Sequence, residues 1–256
     1  MTLLLPNLLL VGGGVLSGFI NSLAGGAAFL LFPLLIGTGL TPMVANASLF
    51  VALFPANLVG VIAARRDVDL ATAQVPRRAA IATVGGLIGS YLLIHFGADA
   101  FERAMPWLLL AATLLFGGAP LMRHVLMKGF GQHGFHQHPA VLALVEFLLC
   151  VYGGYFGLGM GIVLLAAYSI FGNFNLRRAN GIKNLLIAAN TVVGIVVYAW
   201  AGTIQWPAAL TVMVGTAVGG YLSVKFANIV SPTFLRRGML AWAALLTARA
   251  FWYAHT

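Results

Sequence analysis

Apolar runs recur along this chain from Leu3 to the C-terminus, and only short polar joints separate them. Of the 256 residues, 61% are hydrophobic and 7% are charged, so a soluble domain of this size would lack the polar groups to cover its surface. Runs of this length satisfy their backbone hydrogen bonds inside a bilayer by forming helices. The sequence therefore predicts an all-α polytopic membrane protein without a separate soluble domain.

The chain also repeats itself. Residues 84–96 align with residues 214–226, with six identities in thirteen positions. Upstream, residues 44–50 pair with residues 178–184 at an offset of 134. Similarity at a fixed offset over long stretches is typical of an internal duplication. We therefore expect two related halves that fold into equivalent sets of helices.

Each half opens with an apolar run that glycines interrupt. The first reads "INSLAGGAAFLLFPLLIG" from Ile20, and the second reads "YGGYFGLGMGIVLLAAYSIFG" from Tyr152. The run after each break holds about a dozen residues and spans only about 18 Å, whereas a bilayer core is about 30 Å thick. We predict two repeats of about five segments each, over residues 1–122 and 140–256, joined by a cytoplasmic linker over residues 123–139. The predicted segments lie near residues 3–24, 27–37, 43–64, 79–96, 104–122, 140–157, 159–171, 177–201, 207–227 and 234–254.

The distribution of Lys and Arg predicts the topology. If each broken region counts as two passes or as a re-entrant hairpin, twelve of the fourteen basic residues fall on one side, which the positive-inside rule makes cytoplasmic. Both termini are then periplasmic, and the two repeats are inverted relative to each other. Whether residues 27–37 cross or re-enter stays open. The twelve residues are Arg65, Arg66, Arg77, Arg78, Arg123, Lys128, Arg177, Arg178, Lys183, Lys225, Arg236 and Arg237.

The net charge of +9 does not indicate nucleic-acid binding in this chain. Its basic residues lie at helix ends, where they orient the protein and contact anionic lipid, and they form no continuous basic groove. The expected partners are therefore membrane lipid and a small substrate, and no nucleic acid.

Few residues offer enzyme or metal chemistry. The sequence has no Ser-His or Asp-Asp pair at helical spacing in the apolar runs, and Cys150 is interpreted as a packing residue. The linker histidines His133, His136 and His138 have a spacing that could hold a metal, but a short polar loop is more often simply solvated. We predict no enzyme activity, no cofactor and no metal site.

The sequence has paired glycine-rich breaks, an Ala-Asn after each short run, the lysine of "ANGIKNLLIAAN" and a "G-x-x-x-G-x-Y" helix in each half. These motifs resemble those of the TauE/SafE family of sulfite exporters and related anion permeases, and the resemblance covers nearly the whole chain. The resemblance implies a bacterial inner-membrane carrier of small anions such as sulfite, sulfonates or short carboxylates. Lys183 and Asn190 fit family positions. An Asn-Lys pair is common after the first short run of the family, but Ser48 and Leu49 occupy it here.

Lys183 is the sharpest candidate for anion binding. It lies about two turns inside an apolar helix, where an unpaired ammonium costs about 2.5–3.5 kcal/mol on insertion scales. Either it faces a cavity or a partner, or it snorkels to the cytoplasmic surface.

Glu146 is the acid inside an apolar run, in "VLALVEFLLCVYGG". Two roles are open for it. It exchanges a proton during transport, or it pairs near the cytoplasmic face with an arginine at a helix end.

The helix breaks themselves can bind an anion, because a half-helix N-terminus presents unpaired N–H groups and a positive dipole end. Side-chain amides and hydroxyls near the breaks add donors. Taken singly, each asparagine could instead form an interhelical hydrogen bond and each glycine could serve close packing. The candidate substrate-binding residues are Asn21, Gly25, Gly26, Asn46, Ser48, Gly157, Gly159, Gly161, Lys183, Asn184 and Asn190, with Ser22 and Asn180 nearby.

Gly85 and Gly89, and equivalently Gly215 and Gly219, have the "G-x-x-x-G" spacing of helix-packing faces. The partner of these faces is either the other repeat or a second protomer in a homodimer. The function expected from the whole pattern is a secondary transporter that moves a small anion by alternating access. An anion channel with the same architecture is the alternative.

Overall fold

The computed structural model of the protein describes residues 4–23, 26–64, 74–130, 139–171, 176–226 and 232–255. Within these ranges every regular element is a helix, so the all-α prediction is confirmed. Four helices include segments that are long and apolar enough to cross a membrane: Pro42–Ile62, Gln74–Leu115, Pro139–Phe156 and Arg178–Trp200. The helices are α1 (Leu4–Leu23), α2 (Ala28–Ile36), α3 (Pro42–Ala64), α4 (Gln74–Phe130), α5 (Pro139–Phe156), α6 (Met160–Phe171), α7 (Leu176–Trp200), α8 (Trp206–Phe226) and α9 (Pro232–His255).

The short helices α2 and α6 follow the predicted glycine breaks, and most other boundaries lie within a few residues of those predicted. Helix α4, however, continues to Phe130, eight residues into the predicted linker 123–139. One difference concerns α4, which contains both predicted segments 79–96 and 104–122. They meet at Gly97, whose φ of 76° and ψ of −175° are non-helical. A single glycine in the left-handed region therefore takes the place of the expected loop.

Large apolar side chains are exposed on the outer faces of the bundle. Leu9, Val214 and Tyr221 each leave more than half of their surface uncovered, and Trp200 is 88% exposed. A monomeric soluble protein rarely exposes so much apolar surface, whereas in a bilayer these side chains contact lipid. The structure is that of a multi-pass membrane protein.

The most extensive helix contacts join the two halves. Helix α1 packs along α8, and the part of α4 before Gly97 packs along α5. A Cβ atom on Gly89 would lie 2.7 Å from Tyr155 N, and one on Gly219 would lie 2.8 Å from Phe19 N. Of the two partners predicted for the glycine faces, the structure therefore places the other half of the chain against them.

Gly89→Ala and Gly219→Ala are each expected to lower the midpoint of thermal unfolding in detergent. The added methyl group meets backbone atoms that cannot rotate away, and overpacking of this kind costs about 1–3 kcal/mol. Gly12→Ala is the matched control, because a Cβ on this exposed glycine of α1 meets nothing within 4 Å. An unchanged midpoint in both test variants would contradict the packing role.

Two hydrogen bonds cross between the halves. Asn57 Nδ2 lies 3.4 Å from Thr191 Oγ1, and the hydroxyl oxygens of Thr113 and Thr247 lie 3.0 Å apart. The first pair is separated by 134 residues, the offset that also relates residues 44–50 to residues 178–184. Contacts between equivalent residues are what a two-fold arrangement of repeats produces near its axis. The inverted orientation itself stays a prediction.

Candidate functional site

The two chain breaks lie against each other. Gly26 precedes α2 with a φ of 83°, and Gly159 precedes α6 with a φ of 77°. A Cβ on Gly26 would lie 2.6 Å from Ile162 Cδ1, and one on Gly159 would lie 3.2 Å from Phe29 Cε2. Glycine is favoured at both positions for two reasons. It adopts the positive φ without strain, and its lack of a Cβ lets the opposite helix approach closely. Each break contacts the first turn of the opposite short helix, so the N-termini of α2 and α6 converge.

The backbone donors at these N-termini have no acceptor among the described residues and can therefore bind a ligand. At each helix start, three consecutive N–H groups have no acceptor within the part of the chain that the structure describes. Unpaired N–H groups and the positive end of the helix dipole favour a negatively charged ligand. The groups belong to Gly26, Ala27, Ala28, Gly159, Met160 and Gly161.

A cavity of about 50 Å³ lies at this junction. Because one water molecule needs about 10–15 Å³ of such space, the cavity has room for a few waters or one small anion. Helices from both halves contribute to its wall. The lining residues are Asn21, Gly26, Ala28, Leu49, Phe50, Leu53, Asn57, Gly153, Gly157, Gly159, Met160, Gly161, Lys183, Asn184, Ile187, Asn190 and Thr191.

Lys183 supplies the positive charge of the cavity. Only 1% of its surface is exposed, so the side chain does not snorkel to the protein surface. A Cβ on Gly161 would lie 3.6 Å from Lys183 Cδ, which places the lysine stem beside the first turn of α6. No hydrogen bond or ion pair to Lys183 is found among the described residues. A buried ammonium without a counter-ion is a strong site for an anion.

Neutral donors and acceptors complete the wall. Asn21 Nδ2 donates to Asn57 Oδ1 over 2.8 Å, and Asn57 in turn donates to Thr191. Asn190 Nδ2 donates to the Cys150 carbonyl over 2.7 Å and so ties α7 to α5. Sequence reasoning missed Asn57 and Thr191. Their separation of 134 residues, the repeat offset, was the signal that could have found them.

Eight of the predicted substrate-binding residues line the cavity, and Gly25 lies outside the described residues. Asn46 and Ser48 do not line it. Asn46 Nδ2 donates to the Tyr155 carbonyl over 3.1 Å, and Ser48 Oγ accepts the Gln205 N–H over 3.0 Å. The side chain of Ser22 is also outside the described residues, and Asn180 is absent from the lining. The eight are Asn21, Gly26, Gly157, Gly159, Gly161, Lys183, Asn184 and Asn190.

Glu146 is buried away from the cavity wall and has two partners. It forms an ion pair with Arg78 at the start of α4, and the Tyr168 hydroxyl donates to it over 2.8 Å. The arginine pair that the sequence left open is therefore present. Proton coupling at Glu146 stays a prediction.

No group of three or more His, Cys, Asp or Glu side chains suited to a metal ion occurs among the described residues. The linker residues His133, His136 and His138 lie outside them.

Comparison with known proteins identifies the family. The family model described as "Sulfite exporter TauE/SafE" matches residues 10–250. The probable membrane transporter protein YfcA of Escherichia coli strain K12 is 24% identical over 241 residues, covering 94% of this chain and 88% of the relative. The probable membrane transporter protein ORF9 of a Sinorhizobium species is 26% identical over 228 residues, covering 85% and 83%. No solved structure gives a significant match. The chain belongs to the TauE/SafE family of membrane transporters, as its glycine breaks and buried lysine indicated.

Proposed function

We propose that the protein is a secondary carrier that moves a small anion, such as sulfite, an organosulfonate or a short carboxylate, across the bacterial inner membrane by alternating access. The anion binds between the N-termini of α2 and α6, and Lys183 is its counter-ion. The single observation that carries the proposal is this buried ammonium, which faces a cavity and has no partner among the described residues.

The arrangement of the halves supports alternating access. A binding site near the midplane, formed by interrupted helices from two repeats, is a recurring plan of secondary transporters. Here the cavity wall combines α3 from one half with α7 from the other, and the helix pairs α1/α8 and α4/α5 cross between halves. Rocking of one set of helices against the other would open the cavity to each side in turn. The charge bias of the loops supports periplasmic termini.

Transport in proteoliposomes separates a carrier from a channel. We expect proteoliposomes that are preloaded with unlabelled sulfite or methanesulfonate to take up labelled anion by counterflow, because a carrier reorients with substrate bound. Empty liposomes are the control for leak. Conductance that rises linearly with voltage, without counterflow, would favour the channel and contradict the carrier.

We also propose that transport is coupled to protons through Glu146. The carboxylate lies seven residues before Gly153 on α5, about 10 Å along the axis from the cavity. Its partner Arg78 is at the start of α4 in the other half, so a movement of that first turn during reorientation would separate the pair and leave the carboxylate free to take up a proton. A buried acid in a transmembrane helix is often part of such a relay.

A further inference from the structure

The cavity has unequal walls at positions that the duplication makes equivalent. Leu49 and Lys183 are separated by the repeat offset of 134, and both line the cavity. The next position in each half is Phe50 on one side and Asn184 on the other. The α7 side of the cavity is therefore charged and polar at these two positions, whereas the α3 side is apolar at the equivalent positions.

The apolar wall is continuous along one face of α3. Leu49 and Leu53 lie one turn apart, Phe50 is adjacent to Leu49, and all three line the cavity and are almost fully buried. The polar residues of the first half that line the cavity, Asn21 and Asn57, already hydrogen-bond to each other. An anion oxygen turned toward Leu49 and Phe50 would contact side chains that donate no hydrogen bond.

The charge of the cavity is also limited. Lys183 is the only charged side chain among the lining residues that the structure describes. The two helix N-termini add partial positive charge of roughly half a unit each, which falls off within the first turn. Lys183 and the N–H groups of α2 and α6 are the positive groups of the cavity. They favour a ligand whose negative oxygens all belong to one end of the molecule.

We propose that the site prefers anions with one charged oxygen-bearing group and a short apolar tail, namely small alkyl sulfonates or carboxylates, over anions whose oxygens point in every direction. The charged group contacts Lys183 and the free N–H groups of α2 and α6. The tail contacts Leu49 and Phe50, and Leu49 sets the preference. This inference rests on the proposed anion site and names its substrate class.

Methanesulfonate and sulfate form a matched pair of probes, because a methyl group in one replaces a charged oxygen in the other. We expect purified wild-type protein to bind methanesulfonate at least about tenfold more tightly than sulfate in calorimetry, since a buried oxygen without a donor is costly. Equal or tighter binding of sulfate would overturn the inference and leave the anion site intact. If neither these anions nor sulfite bind or move, the proposed function itself fails.

Leu49→Lys tests the residue that sets the preference. A second ammonium in the cavity wall is expected to shift the affinity ratio toward sulfate by about tenfold or more. Leu49→Gln, which adds a donor without a charge, should shift the ratio in the same direction and serves if the lysine variant does not fold. Leu58→Gln, at an exposed position of α3 outside the cavity lining, is the control and should leave the ratio unchanged. A ratio that stays at the wild-type value in folded lysine and glutamine variants would show that Leu49 does not set the preference.

Discussion

Lys183→Ala is expected to abolish measurable anion binding and counterflow. The lysine is buried, lines the cavity and has no partner among the described residues, so a bound anion would be its counter-ion. Truncating one member of a buried charge pair typically costs about 2–5 kcal/mol, which weakens binding at least roughly thirtyfold. Calorimetry with sulfite and methanesulfonate measures the loss, and counterflow in proteoliposomes checks it independently.

The same substitution should stabilise the empty protein. An unpaired ammonium inside a bilayer costs about 2.5–3.5 kcal/mol on insertion scales, and alanine removes this cost. We therefore expect a higher thermal midpoint without ligand, together with no further rise when the anion is added. Lys225→Ala, at the exposed end of α8, is the control and should change neither property. Anion affinity that survives in Lys183→Ala would show that the backbone N–H groups alone make the site.

The helices and the two breaks could be predicted because their signals are local. Apolar runs of fixed length define the spans, and a Gly-Gly pair in the middle of such a run weakens the helix at that point. The joint at Gly97 could not be predicted in the same way. A loop of several residues and a single left-handed glycine both interrupt a helix, and the sequence alone does not distinguish them.

The sequence indicates candidate site residues best where the residue type is itself costly in a bilayer. Small polar residues, which cost less, give a weaker signal. Lys183 is such a residue, and it lines the cavity. Ser48 neighbours Leu49, but one residue along a helix is a rotation of about 100°, and Leu49 rather than Ser48 faces the cavity. The rotation of α3 relative to α7 is a tertiary property, so the sequence could not show that Ser48 and Asn46 lie outside the cavity lining.

Breaking the ion pair between Arg78 and Glu146 is expected to be more destabilising than the substitutions on the glycine faces. The Glu146 side chain is 2% exposed and that of Arg78 is 13% exposed. Removing one partner of a buried pair typically costs about 3–5 kcal/mol, because the remaining charge stays buried without compensation. Glu146→Gln and Arg78→Gln should therefore each lower the thermal midpoint, and the double variant should lose less than the sum of the two. Glu102→Gln and Arg103→Gln are exposed controls on α4.

Proton coupling can be separated from this structural role because it belongs to the carboxylate alone. If Glu146 carries the proton, Glu146→Gln still exchanges anion by counterflow but does not concentrate it under a pH gradient. Arg78→Gln loses the same ion pair yet keeps a titratable carboxylate, so it should still respond to the gradient. Parallel uptake assays at matched amounts of folded protein compare the two variants. Gradient-driven accumulation in Glu146→Gln would show that Glu146 does not carry the proton and serves only as a structural partner of Arg78 and Tyr168. The coupling group would then have to lie elsewhere in the chain.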